Sequence, residues 1–151
     1  MKKAILIIIT LAFGSCIIDG HQDVHTKLIN HSGHLINFEI FHNGTKLSIP
    51  IAINDTAIVN ESRGMGDNVL RGNYGYLLQN YDSVRVWYDG INVIKHLKSD
   101  ELNQKGIPYL SSRNLLNPDN YQEVITHQTA HSVTGYYAYT FTEQDYLDAK
   151  Q

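Results

Sequence analysis

Beyond residue 23, apolar and polar residues alternate with a period of two over most of the chain. That spacing puts successive side chains on opposite faces of a β-strand. It predicts two hairpins. Residues 34–42 run into Asn43-Gly44 and continue as residues 45–53, and Asn-Gly tolerates the positive φ angles of a tight hairpin turn. Folding about that turn sets Ile36 opposite Ile51, Phe38 opposite Ile49 and Ile40 opposite Leu47 on one face. Asn37 with Pro50, Glu39 with Ser48 and Phe41 with Lys46 make the other. A slip of one residue would invert every side chain, so three matched apolar pairs fix the register. Pro50 has no N–H to give a neighbour, which places the second strand at an edge or at a bulge.

The second hairpin joins residues 83–88 to residues 91–97 through Asp89-Gly90. Read as a two-residue turn, it pairs Val86 with Val93 and Tyr88 with Ile91 on one face. Trp87 opposite Asn92 and Arg85 opposite Ile94 then point outward. Further strands are expected at residues 24–30, 56–61, 122–127 and 133–142, the last with Val133, Tyr137, Tyr139 and Phe141 on one face. Helix is scarce. One turn fits within residues 112–121, stopped near Pro118. A closing helix fits Glu143–Ala149, with Thr142 as N-cap, Glu143 and Asp145 in the first turn, and Tyr146 and Leu147 packed on the sheet. The expected fold is all-β, an antiparallel sandwich of about seven or eight strands, immunoglobulin-like or similar, with a short C-terminal helix. Residues 62–81, with Gly64, Gly66, Gly72 and Gly75, are the least regular segment and read as a long, functional loop.

The start of the chain has a different pattern. Lys2 and Lys3 precede an apolar run over residues 4–13, broken only by Thr10. As a helix the run spans about 15 Å, half of a bilayer core, so it reads as an export signal and not a spanning segment. Cys16 is the one cysteine of the chain, and a lone thiol in an exported protein has no disulfide partner. The run Leu11-Ala12-Phe13-Gly14-Ser15-Cys16 resembles a lipobox, in which small residues before the cysteine admit a dedicated peptidase after the thiol has been acylated. Phe13 departs from the usual aliphatic residue. The competing reading is an ordinary secretory signal cut after Ser15. The chain is thus divided into a lipoprotein signal peptide (1–15), a tether (16–23) and a sandwich domain (24–151), with Cys16 as the lipidation site. Two or three acyl chains, palmitate among them, anchor stably where one does not. Ile17 lacks the aspartate that resembles an inner-membrane retention signal, so the expected location is the bacterial cell envelope at the outer membrane, on its periplasmic or surface face.

Charge narrows the partners. Without Lys2 and Lys3, ten basic residues face fifteen acidic ones, a formal charge of −5, and no basic stripe marks a nucleic-acid surface. Eight histidines are present. His31 and His34 flank a Ser-Gly turn and are weak metal candidates, whereas His127 and His131 lack the helix on which an i, i+4 pair converges. The chain has no Gly-x-Ser-x-Gly nucleophile and no phosphate loop. Asp82, Asp89 and Asp119 are the carboxylates available for an acid–base pair, with nothing to show that they converge. No catalytic residue and no cofactor is expected. Aromatics gather near the Gly-rich segment: Tyr74, Tyr76, Tyr81, Trp87 and Tyr88. Aromatic side chains offer contact area at small entropic cost, which makes Trp87, Tyr74, Tyr76 and Tyr81 the ligand-contact candidates. The expected function is a non-catalytic binding module for a protein or glycan. The alternatives are a histidine-based metal-binding or hydrolytic envelope enzyme, and an accessory structural subunit of an envelope complex.

The Gly-Ser-Cys start, Asn30 to His34, Phe41-His42-Asn43-Gly44, Arg113-Asn114-Leu115-Leu116-Asn117 and the ending Tyr139 to Tyr146 together resemble small Bacteroidetes lipoproteins of flavobacterial type. The resemblance implies a location and not a mechanism. Asp55-Thr56-Ala57 and Asp82-Ser83-Val84 likewise resemble the Asp-Ser/Thr-apolar motif of Bacteroidetes O-glycosylation, making Thr56 and Ser83 candidate acceptors.

Overall fold

The computed structural model describes residues 21–65, 81, 83–98, 106–129 and 132–151. They form two four-stranded sheets packed as a β-sandwich with one short helix at the C-terminus. The strands are β1 (His21–Asn30), β2 (Ile36–His42), β3 (Thr45–Ile51), β4 (Thr56–Met65), β5 (Ser83–Tyr88), β6 (Asn92–His96), β7 (Gln122–Gln128) and β8 (Ser132–Phe141), and the helix is α1 (Glu143–Ala149). One sheet has the order β4-β1-β8-β7 and the other β3-β2-β5-β6. No helix among the described residues is long and apolar enough to cross a membrane.

The first hairpin has the expected register. Ile36 faces Ile51, Phe38 faces Ile49 and Ile40 faces Leu47. Asn43 and Gly44 carry φ of 48° and 77°, the left-handed values that an Asn-Gly hairpin turn requires. Strand β3, with Pro50, lies at the sheet edge, where a missing N–H removes no ladder bond.

The second hairpin differs by one residue. Asp89 and Gly90 make the turn, with φ of 52° and 70° and a bond from the Ile91 N–H to the Tyr88 carbonyl at 3.0 Å. Ile91, however, stays outside the ladder, and Tyr88 pairs with Asn92, Trp87 with Val93, Val86 with Ile94 and Arg85 with Lys95. The extra residue inverts all of β6 relative to the two-residue reading. Ile94 and His96 turn toward the interior, Val93 and Lys95 turn outward, and Ile91 is left 79 % exposed.

Sheet polarity holds a second difference. Strands β1 and β8 run parallel, from His21 beside Ser132 to Asn30 beside Phe141; the other ladders among the described strands are antiparallel. Alternation reports which face a residue occupies and is blind to strand direction, so this pairing had no signal in the pattern. Strand β1 also begins at His21, inside the stretch assigned to the tether, and β4 continues to Met65, into the Gly-rich segment. Residues 66–80 lie outside the described part.

The core combines both sheets. Leu28, Tyr139 and Phe141 meet Phe38, Val86 and Tyr88, and the loop residues Leu115 and Leu116 are buried in the same cluster. Burying each large apolar side chain contributes about 1.5–3 kcal/mol. The loop is pinned by Asn114, which has no exposed surface: its amide donates to the carbonyls of Leu97, Ile107 and Pro108 and its oxygen accepts from the Leu116 N–H. Asn30 does the same for residues 31–52, donating to the carbonyls of His34, Ile51 and Ala52 and accepting from both the N–H and hydroxyl of Ser32. Pro118 starts a turn instead of stopping one: the 3₁₀ turn Pro118–Asn120 is capped by the Asn117 side chain, a place where the missing proline N–H costs nothing.

Helix α1 has the expected bounds, capped at Thr142. Its packing face is different. Tyr146 packs on the core, while Leu147 is 43 % exposed and Asp145 is buried. Asp145 accepts from the N–H and hydroxyl of Thr142, from the Tyr139 hydroxyl, and from the Arg113 guanidinium through both oxygens. A carboxylate this well supplied with donors can be buried without a large penalty.

Candidate functional site

The outward face of the β3-β2-β5-β6 sheet carries the most exposed chemistry that the described residues bring together. Alternation along β5 sends Val84, Val86 and Tyr88 into the core and leaves Arg85 and Trp87 outside. Trp87 stands half-buried across the sheet, its indole N–H donating to Glu39 Oε2 at 2.9 Å. The other Glu39 oxygen accepts from Lys46 at 3.0 Å. Glu39 is only 7 % exposed. Burial pushes its carboxyl upward, but the bonds from Trp87 and Lys46, with the charges of Lys46 and Arg85, outweigh it and hold the carboxyl below its ordinary range. The carboxylate therefore fixes the indole in place.

Beside Trp87 the sheet edge opens into a cleft of about 550 Å³. Arg85, Trp87, Val93 and Lys95 line the sheet side. Ile94 of β6, Gly106, Ile107 and the C-terminal end of α1, with Asp148 and Ala149, also line it. The volume falls within the roughly 300–1,000 Å³ of small-ligand sites. The Arg85 guanidinium lies over the Phe41 ring at 4.7 Å, and Lys95 stands directly across the ladder from Arg85. Asp148, also in the lining, accepts a hydrogen bond from Gln144. Gly106 lets the chain pass close to β6: with φ of 151°, any Cβ there would sit 2.5 Å from the Lys95 carbonyl oxygen. This holds Ile107 in place, where its N–H bonds to Lys95 and its carbonyl to Leu97.

The other sequence candidates go elsewhere. Tyr81 is half-buried before the start of β5, edge-on to His42 with ring centres 5.6 Å apart, and does not line the Trp87 cleft. Tyr74 and Tyr76 lie outside the described residues. Thr56 is exposed at the first position of β4, its N–H bonded to Asp55 Oδ1, and Ser83 is half-buried at the first position of β5. Cys16 is outside the described residues.

His31 is exposed and His34 is drawn into a clamp. His34 Nδ1 lies 2.7 Å from Asp89 Oδ2, its Nε2 lies 3.4 Å from Glu143 Oε2, and its ring stacks on Tyr146 at 3.4 Å. Hydrogen bonds from His34 and from the Leu35 N–H hold the Asp89 carboxyl below its ordinary range. Nδ1 is hydrogen-bonded to Asp89, and Nε2 lies within ion-pair distance of Glu143. The cluster ties the β5–β6 turn and α1 to the entry of β2. Among the described residues, no group of three His, Cys, Asp or Glu side chains is placed to hold a metal ion. His127 is exposed on β7 and its partner His131 lies outside the described part.

A buried polar group sits beneath α1. His96 is 2 % exposed, and its Nδ1 accepts from the Leu115 N–H at 3.1 Å. Burial is the main reason its ring is pushed down to about 3, with Asp145 opposing and Arg113 reinforcing the shift. The hydrogen bond and the shift agree on a neutral imidazole. This residue, like the Arg85–Lys95 pair, was invisible to a reading that had β6 inverted.

No protein-family model matches the chain, and neither the curated proteins nor the solved structures contain a match.

Proposed function

We propose that the chain is a lipid-anchored cell-envelope protein whose sandwich acts as a non-catalytic binding module, with the Trp87 cleft as its contact site. The anchor part of this reading is supported by the leader and by Gly14-Ser15-Cys16, and it places the domain at the outer membrane. The binding part is supported by one observation above all: an indole fixed by Glu39 in the wall of an open cleft of about 550 Å³. Aromatic residues held rigid before the ligand arrives lose little entropy on binding. Of the two histidines flanking the Ser-Gly turn, His34 is held between Asp89 and Glu143.

Two measurements test the two halves. Labelling cells with an alkyne fatty acid marks the wild-type chain, and Cys16→Ser abolishes the label; a label that survives the substitution overturns the anchor. For the module, the chain from residue 16 onward, carrying Cys16→Ser and so neither leader nor lipid, is sedimented with purified cell envelopes. Trp87→Ala and Val93→Arg reduce co-sedimentation at least about tenfold, while Ile125→Arg on the other sheet leaves it unchanged. Equal retention of all three variants rules out the cleft as the contact site.

A further inference from the structure

We infer that the end of the sandwich at His21 is its membrane-contact surface: the domain stands end-on upon the lipid headgroups, and the Trp87 cleft opens away from the lipid. The inference rests on the anchor at Cys16 and adds what that anchor does to the position of the cleft.

Chain length carries it first. Strand β1 begins at His21, so four residues separate Cys16 from the sheet. Five Cα steps span at most about 18 Å. An acylated residue sits in the headgroup layer, which takes up about 5–7 Å on each side of a bilayer. About 10 Å of free length remains above it. Strand β1 is an inner strand, held by β4 on one edge and β8 on the other, so it cannot readily peel away to lengthen the tether.

The registers sort the strand ends into two levels. At the level of His21 stand Met65 and Ser132, with Gln128 beside Val133. At the opposite end Asn30, the last residue of β1, donates to the carbonyls of His34, Ile51 and Ala52. Ile36 begins β2 at that level, with Ile51 and Tyr88 across from it. The Asn43-Gly44 turn and Ser83 therefore lie at the His21 level. The Asp89-Gly90 turn lies at the far level, as does the start of α1, which follows Phe141 beside Asn30. Nine steps of β1, at about 3.3 Å each, set the levels about 30 Å apart.

Trp87 is one residue short of the end of β5 and pairs with Asn37, the second residue of β2, so the cleft lies in the far half. Its face is turned away as well. The tether enters the β4-β1-β8-β7 sheet, whereas Trp87 stands on the outward face of the other. Packed sheets lie about 10 Å apart, and the side chains of the cleft face add to that height. Laying this face on lipid needs more chain than the tether has. Lying on the outward face of the first sheet would instead press Asp23, His25 and Lys27, which alternate with buried Val24, Thr26 and Leu28, against the headgroups, and covering charged groups is costly. Asn43, Gly44 and Thr45, exposed at the His21 level, carry no formal charge to desolvate.

Cys16 is the one cysteine of the chain and its sulfur is acylated in this reading, so an introduced cysteine is the only free thiol. Thr45→Cys, Gln128→Cys and Ile91→Cys are produced as lipoproteins, labelled with a maleimide donor dye and reconstituted in phosphatidylcholine vesicles bearing an acceptor dye on the headgroup. All three positions are exposed, and matching thermal unfolding checks that the chains stay folded. The rate of energy transfer is expected to be at least about fivefold higher from Thr45→Cys and Gln128→Cys than from Ile91→Cys. In the unlabelled wild type, Trp87, the one tryptophan, should keep its emission when the vesicles carry a nitroxide-headgroup lipid. Equal transfer from the three positions, stronger transfer from Ile91→Cys, or quenching of Trp87 overturns the orientation while the anchor stands. Chains that do not float with the vesicles overturn the anchor itself, and the orientation with it.

Discussion

At the scale of single residues, the buried polar side chains explain more than the exposed ones. Asn30 and Asn114 each replace a stretch of regular ladder with side-chain bonds, as a buried backbone without partners demands. In sequence both resemble ordinary loop asparagines, since nothing local marks an amide that will be enclosed by distant strands. His96 offers a test with a definite sign. Its ordinary value is 6.5 and burial pushes it down to about 3. Above pH 6.5 neither the folded nor the unfolded chain holds a proton there. Between the two values only the unfolded chain binds one, so acid favours unfolding, by up to about 1.4 kcal/mol per pH unit. Protonation would also set the ring N–H against the Leu115 N–H that Nδ1 now accepts. Urea midpoints measured from pH 7 to pH 5 should fall for the wild type and fall less steeply for His96→Gln. Identical slopes in the two proteins would remove His96 from the account.

At the scale of elements, the two hairpins show what alternation can and cannot specify. The first was legible because three apolar pairs agreed with a turn that takes two residues. In the second the turn residues were right, but Ile91 enters no pair and shifts β6 by one. The cause lies at a distance. Asp89 is held by the N–H of Leu35 and by His34, and its own N–H bonds to the Leu35 carbonyl. The β5–β6 turn is thus set by the entry to β2, which no local pattern encodes. Since Asp89 and Gly90 already have positive φ, deleting Ile91 leaves a two-residue turn that joins Tyr88 to Asn92 in the present register. The deletion is expected to cost less than about 1 kcal/mol, within the range of surface changes, and to leave amide exchange of β6 intact. Loss of the folded state would mean that Ile91 does more than cap a turn. Helix α1 repeats the lesson: its cap and length were legible in Thr142 to Ala149, but its buried face was not, because Arg113, the partner that admits Asp145, comes from 32 residues away.

At the scale of the whole molecule, the sandwich was readable from strand count and turn spacing, and its topology was not. The parallel pairing of β1 with β8 joins His21 to Ser132, 111 residues apart (132 minus 21), and both strands lie inside their sheet. Strand β8 also contributes Tyr139 and Phe141 to the core. A chain ending at residue 129 keeps seven of the eight strands yet should show no cooperative urea transition by circular dichroism, because β1 and β7 lose their shared neighbour. A sharp transition in that fragment would show that the rest folds alone. The same pairing has a kinetic meaning. A ribosome releases the polypeptide amino end first, so the opening ribbon of this sheet can meet β4 early but must wait for the closing one to cover its other edge. Until synthesis is nearly finished one flank of that ribbon stays without its neighbour, and the sheet is sealed only when the tail arrives.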